Sequence, residues 1–169
     1  FIETNLGRRI AELYIDPSTA FHFRDCMNMR PREFTPISML HMITSSSDIT
    51  PMLYTRSSDM ALVEDFISEH EGELYLSSKA ENRLIQDEVK TLIAIWLWID
   101  ERGEDAISDM TGAQQGDIYR LNESAVWLLY SASELAVFFG HKELLPQLRE
   151  LEVRAVSYTH LTLPTNREV

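Results

Sequence analysis

Residues 117–139, DIYRLNESAVWLLYSASELAVFF, constrain the fold of this chain more than any other stretch. Ile118, Leu121, Ala125, Leu128, Ala132, Leu135 and Phe139 recur at steps of three and four, the spacing of one buried stripe on an α-helix. Gly116-Asp117 predicts a turn and an N-cap, and Gly140 predicts a stop. At ~1.5 Å per residue the helix spans roughly 35 Å, enough to cross a small domain. Arg120 and Trp127 stand two turns apart, within ~20° of each other and about 120° from the centre of the stripe. A cation and a large aromatic ring therefore share a side that is not the core side.

The rest of the chain repeats this pattern in shorter pieces. LGRRIAELYI predicts a short amphipathic helix on Leu6, Ile10 and Leu13. Asp16-Pro17 caps a second helix, with proline at its first position where the missing N–H costs nothing. Phe21, Phe23 and Met27 anchor it. Thr35-Pro36 opens a third helix with Ile37, Leu40 and Ile43 inward, and Ser58-Asp59 caps a fourth carrying Met60, Val63, Phe66 and Ile67. A fifth runs from about Ala80 to Glu101 on Ile85, Val89, Leu92, Trp96 and Ile99, and Gly103 ends it. Trp96 reads as core, while the orientation of Trp98 stays open. A short helix through Ala106 and Met110 stops at Gly112. A last one, from His141 to about Ala155, carries Leu144, Leu148 and Leu151. Residues 1–5 are too short to classify and could be the last strand of a preceding unit. The fold class expected is all-α, a bundle of six to eight helices with 117–139 at its centre. Only six Gly and six Pro in 169 residues, 44% of them hydrophobic, agree with that class and with a real core.

Charge and composition exclude several functions. Fifteen basic residues against 27 acidic ones give a net charge of -12. That argues against general phosphate binding, so any nucleic-acid contact must rest on a local site or on partner domains. No run of 18 apolar residues occurs, so no membrane-spanning helix is expected. The single cysteine, Cys26, allows no internal disulfide and reads as a small core residue of a reducing compartment. No G-x-x-x-x-G-K-S/T loop is present. Asp87-Glu88 matches a helicase Mg²⁺ box by letters only and reads as a solvated helix face. His22, His41, His70, His141 and His160 show no metal-ligand spacing. Trp127 has two readings: it packs against a neighbouring helix while Arg120 pairs with Glu123 or Glu134, or the ring stacks on a base while the guanidinium holds a phosphate.

Three segments, in order, carry a resemblance. LGRRIAELYIDPSTA (6–20), EVKTLIAIWLWIDE (88–101) and GDIYRLNESAVWLLYSASELA (116–136) are similar to the helical domain of archaeal HelQ-like superfamily-two DNA repair helicases of the Ski-like branch. The resemblance spans almost all of residues 4–156. It implies that 1–15 are the end of a winged-helix domain and that 16–156 are a helical ratchet domain. The ratchet's central helix would contact single-stranded DNA through Arg120 and Trp127. It further implies an ATP-dependent 3′-to-5′ helicase acting at replication forks and in DNA repair, cytoplasmic and nucleoid-associated in a prokaryote. ATP and Mg²⁺ would be bound by motor domains outside this chain, with no cofactor here and no catalytic residue. The other partners implied are the winged-helix and helix-hairpin-helix domains of the same protein. Gln115 and Val126 depart from the family pattern, which commonly has Pro and an acidic residue there. Residues 157–169 resemble the translated read-through of a sequencing adapter and are expected not to be native; the chain, starting at Phe1 rather than Met, reads as a fragment. The apolar stripes of 6–15 and 141–155 are then expected to be exposed, facing absent domains. The alternative is a non-enzymatic acidic helical module that binds a basic protein.

Overall fold

The computed structural model describes residues 4–76 and 82–161. Their regular structure is helical: α1 (Asn5–Leu13), α2 (Pro17–Asn28), α3 (Pro36–Thr44), α4 (Met60–Glu69), α5 (Asn82–Ile99), α6 (Glu104–Thr111), α7 (Gln115–Phe138) and α8 (Leu145–Leu161). Single 3-10 turns stand at Ser57–Asp59, Glu71–Glu73 and Lys142–Leu144. The all-α bundle expected from periodicity is the fold observed. Of the segment 1–5, the first three residues and the strand suggested for them lie outside the described residues. Thr4 caps α1, its hydroxyl accepting the Gly7 N–H at 2.9 Å.

Local chemistry explains most boundaries. The Asp16 carboxylate accepts the Ser18 N–H at 2.7 Å with Pro17 leading α2, and the Thr35 N–H donates to Ser38 Oγ at 3.1 Å ahead of α3. Gly140, at φ 78°, closes α7, and the His141 N–H returns to the Ala136 carbonyl at 2.8 Å. Three boundaries differ from expectation. The cap of α7 is Gln114 rather than Asp117, which lies in the first turn with its carboxylate held by Arg120. The end of α5 is closed by Glu101 at φ 59°, with the Arg102 N–H on the Leu97 carbonyl at 3.1 Å. Gly103, at φ 85°, leads into α6 instead. Helix α8 continues to Leu161, past the end expected near Ala155, and residues 162–169 of the adapter-like tail lie outside the described residues.

Packing centres on α5 and α7. Helix α5 touches α3, α4, α6, α7 and α8, and α7 touches α2, α3, α5, α6 and α8. A helix surrounded this fully buries more than one stripe. Residues 37–44 of α3 are all buried, as is α5 from Asp87 to Ile99 apart from Trp96. This corrects the core reading of Trp96, which is half-buried, and decides the open one: Trp98 is the core residue, its ring edge-on to Tyr119 of α7 at 5.6 Å. In α2, Phe23 and Met27 are buried as expected, but Phe21 is exposed under the Arg24 guanidinium, 5.0 Å from its ring. The two terminal stripes also turn inward. Ile10 and Leu13, and Leu144, Leu148 and Leu151, are buried against the bundle rather than exposed.

The largest departure is Asp87-Glu88. These carboxylates are not on a solvated face: the residues are 6% and 9% exposed. They belong to a polar ladder along α5 that pins the segment between α3 and α4. Asp87 Oδ1 accepts the Thr55 N–H at 2.7 Å, and Thr91 Oγ1 accepts the Leu53 N–H at 3.0 Å. Buried Lys90 donates to Asp59 Oδ2 at 2.7 Å and to the Tyr54 carbonyl at 2.9 Å. Arg56 reaches both Asp59 oxygens at 3.1 Å. Glu88 faces His41 Nε2 at 3.3 Å, and His41 Nδ1 accepts the Tyr75 N–H at 3.0 Å. Asp87 thus satisfies a backbone N–H, Asp59 a buried cation and Glu88 a buried ring N–H, each of which would otherwise be orphaned. Desolvation pushes the Asp59 carboxyl upward, but hydrogen bonds from Arg56 and Lys90 outweigh it and hold the group well below the usual carboxylate range.

Two outcomes follow from that ladder. Asp59→Ala leaves Lys90 buried without its anion and should cost roughly 3–5 kcal/mol in urea unfolding. A double variant with Lys90→Met should cost less than the sum of the two single changes. Because the folded-state carboxyl is depressed, Asp59 contributes its full stabilisation above about pH 4. That contribution is lost as pH falls from there toward the folded value. Asp59→Asn should therefore flatten the acid limb of a plot of unfolding free energy against pH.

Candidate nucleic-acid interface

The outward side of α7 is short of apolar residues because the other sides are consumed by packing. Arg120, Glu123, Trp127, Tyr130 and Glu134 follow one another there at steps of three and four. Arg120 and Trp127, expected on one side from their spacing, are on one side. Seven residues at ~1.5 Å each separate them by about 10 Å along the axis. The Arg120 side chain is 70% exposed, and its ion-pair partner is Asp117, one turn back, rather than Glu123 or Glu134. An exposed pair of this kind is worth little and is readily exchanged for another anion.

Trp127 is half-buried, and its environment was not legible beforehand. Helix α1 lies across the far part of this side. The Trp127 indole N–H donates to the Leu13 carbonyl, the last of α1, at 3.0 Å. Arg9 of α1 pairs with Glu134 at 2.8 Å and with Glu12 at 2.9 Å, and donates to the Tyr130 hydroxyl at 3.4 Å. Hydrogen bonds to Glu134, then Glu12, then Tyr130 hold the guanidinium more firmly protonated than usual. The side is therefore divided. Its Arg120 end is open, and its Glu134 end is roofed by α1, with Trp127 at the junction. No residue type encodes Leu13 as a partner, since the acceptor is a backbone oxygen.

The remaining chemical candidates are structural. Cys26 Sγ lies 3.6 Å from His22 Nε2, but burial pushes the thiol up to about 12 and burial likewise lowers His22. Neither the thiolate nor the imidazolium is favoured, so the pair is not a nucleophile and its base. Among the described residues, no group of three or more His, Cys, Asp or Glu could hold a metal ion, and no helix is long and apolar enough to cross a membrane.

Comparison with known sequences gives the family of this chain. Residues 37–158 match the family model "Archaeal helicase, domain 4". The chain is 34% identical over 151 residues to the ATP-dependent DNA helicase Hel308 of Pyrococcus abyssi, covering 88% of this chain and 21% of that protein. It is 36% identical over 161 residues to the protein of that name from Thermococcus kodakarensis, covering 91% and 14%. It is 28% identical over 146 residues to the one from Methanocella arvoryzae, covering 81% and 20%. The chain thus spans about a fifth or less of the length of these relatives. With the helical fold and a family match that runs from α3 into α8, the chain belongs to the archaeal helicase domain 4 family.

Proposed function

We propose that this chain is the single-stranded-DNA-contacting ratchet domain of an ATP-dependent 3′-to-5′ DNA helicase that acts at replication forks and in DNA repair. In this reading residues 1–15 end a winged-helix domain, 16–156 form the ratchet domain, and the parent protein works in the prokaryotic cytoplasm at the nucleoid. The observation that carries it is the outward side of α7: an exposed cation and a half-exposed indole two turns apart, on the long helix of a domain shared with named DNA helicases.

The chemistry available fits gripping rather than bond breaking. The Trp127 ring offers a π-face to any base, and such stacking contributes roughly 1–3 kcal/mol per base without sequence preference. Arg120 can exchange Asp117 for a phosphate oxygen. The indole N–H is already bound to Leu13, which fixes the ring's direction and leaves the base contact to the π-surface. ATP and Mg²⁺ belong to the motor domains of a longer protein. Motor strokes there would advance the strand while Arg120 and Trp127 hold and release it in turn. The alternative, an acidic protein-binding module, rests on the net charge alone and is not favoured by the family match.

The test is oligothymidylate binding by anisotropy across a salt series, paired with unwinding by a full-length protein carrying this domain. Arg120→Ala should remove about one phosphate contact, lowering the salt slope by roughly 0.7, and should leave thermal stability within about 0.5 kcal/mol. Trp127→Ala should weaken binding by roughly 1–3 kcal/mol and slow unwinding, whereas Trp127→Phe, which keeps a ring, should retain most of both. Strand affinity and unwinding left unchanged by Trp127→Ala would overturn the proposal.

A further inference from the structure

Tyr14 stands out among the side chains that neither the core nor the proposed strand contacts use. It is 87% exposed, although it sits between two buried neighbours, Leu13 and Ile15. Its backbone is left-handed, φ 58° and ψ 31°, at the C-terminal cap of α1. Glycine is the residue that adopts this conformation without cost, and asparagine the next; an aromatic side chain is a poor choice on backbone grounds. Strain of this kind persists only where the surroundings over-determine it, and it gathers at binding sites.

The surroundings here do over-determine it. The Tyr14 N–H is bonded to the Ala11 carbonyl at 3.2 Å. Two residues on, the Asp16 N–H donates to Asp48 Oδ2 at 2.8 Å, and the Asp16 carbonyl accepts the Ala20 N–H at 3.3 Å as α2 begins. Ile15 is held in the core between these anchors. The phenol ring is thus presented to solvent from a fixed backbone, so little chain entropy remains to be lost when something stacks on it.

Its position gives it a partner. The Leu13 carbonyl that accepts the Trp127 indole N–H belongs to the peptide unit joining Leu13 to Tyr14. The phenol therefore springs from the peptide that fixes the indole. The two aromatic side chains are attached at either end of one hydrogen-bonded link, and a single strand is held by stacking successive bases on successive aromatic side chains.

We propose that Tyr14 is a further strand-contacting residue, a base-stacking platform next to Trp127 that continues the outward side of α7 onto the end of α1. The ligand class is single-stranded nucleic acid, recognised through base faces rather than base edges. This rests on the ratchet reading of Arg120 and Trp127 and extends it. It also gives the αL tyrosine a purpose: glycine there would relax the backbone but present no ring.

The experiment separates binding from folding. Tyr14→Gly removes the ring while easing the backbone, so its melting temperature should equal or exceed that of the parent chain. Its affinity for oligothymidylate should fall about fivefold or more, the lower bound for losing one stacked base. Tyr14→Phe should bind close to the parent. Irradiating an oligothymidylate carrying 5-iododeoxyuridine on the parent chain should attach it to a peptide containing Tyr14. Parent-like affinity of Tyr14→Gly, in a chain whose binding still falls with Trp127→Ala, would overturn the Tyr14 assignment alone. Weak binding by Tyr14→Phe as well would overturn stacking as its basis. Absence of any oligothymidylate binding by the parent chain would overturn both this inference and the ratchet reading beneath it.

Discussion

The buried ion pair between Lys90 and Asp59 is the interaction on which the rest of the bundle's geometry depends. Residues 45–59 connect α3 to α4 without forming a long helix of their own, and a connection of that length needs backbone partners. It finds them on α5, where Asp87, Lys90 and Thr91 take up Thr55, Tyr54, Asp59 and Leu53 in turn. The same connection then reaches α7 through the Thr50 N–H, 3.2 Å from Ser124 Oγ. Ser124 stands between Arg120 and Trp127 in the sequence of α7. A charge pair deep in α5 is thus linked, through one strapped loop, to the helix whose outer side carries the proposed strand contacts.

In the proposed reading, that outer side would serve two demands at once. Fold stability asks for α1 to be held down, and Arg9 does so with Glu134, Glu12 and Tyr130. Strand contact asks for an aromatic ring at a set angle with a free face. The bond from Trp127 to the Leu13 carbonyl anchors the end of α1 with the polar edge of the indole, while part of the ring packs against the core and part stays exposed. Burial of Ile10 and Leu13 beneath α1 explains why its stripe needs no further domain to cover it.

What could be read from the amino-acid order, and what could not, divides along locality. Helix α7 and its outward Arg120–Trp127 side were legible because 3.6-residue periodicity is a property of consecutive residues. So were Asp16-Pro17, Thr35-Pro36 and Gly140, whose effects reach only a few positions along the chain. Asp87 and Glu88 were misread because their burial is set by partners 32 and 47 residues away, Thr55 and His41. Trp96 was taken for core and Trp98 left open because a single-stripe rule fails for a helix with neighbours on most sides. Glu101 took the closing position expected of Gly103 because local hydrogen bonding tolerated a left-handed residue two positions earlier. The partner of Trp127 was invisible for a different reason: backbone carbonyls are the same at every residue.

The acidic balance of the chain fits a gripping role better than it first suggests. Among the described residues, several surface cations are already committed to carboxylates of the same chain. Arg9 is tied to Glu134, Arg30 to Glu143, Arg56 to Asp59 and Arg102 to Asp100. Arg120 is itself exposed and, among the described residues, pairs with half-buried Asp117 one turn back on its own helix, so it can trade one anion for another at little cost. A strand that must advance cannot be held by many phosphate contacts, since each adds to the barrier for the next step. A site built mainly on stacking, with one exchangeable cation and acidic surroundings, binds any sequence and lets go readily. In the proposed reading, the net charge of -12 would be part of the device, keeping the strand on the outer side of α7 and off the other faces of the domain.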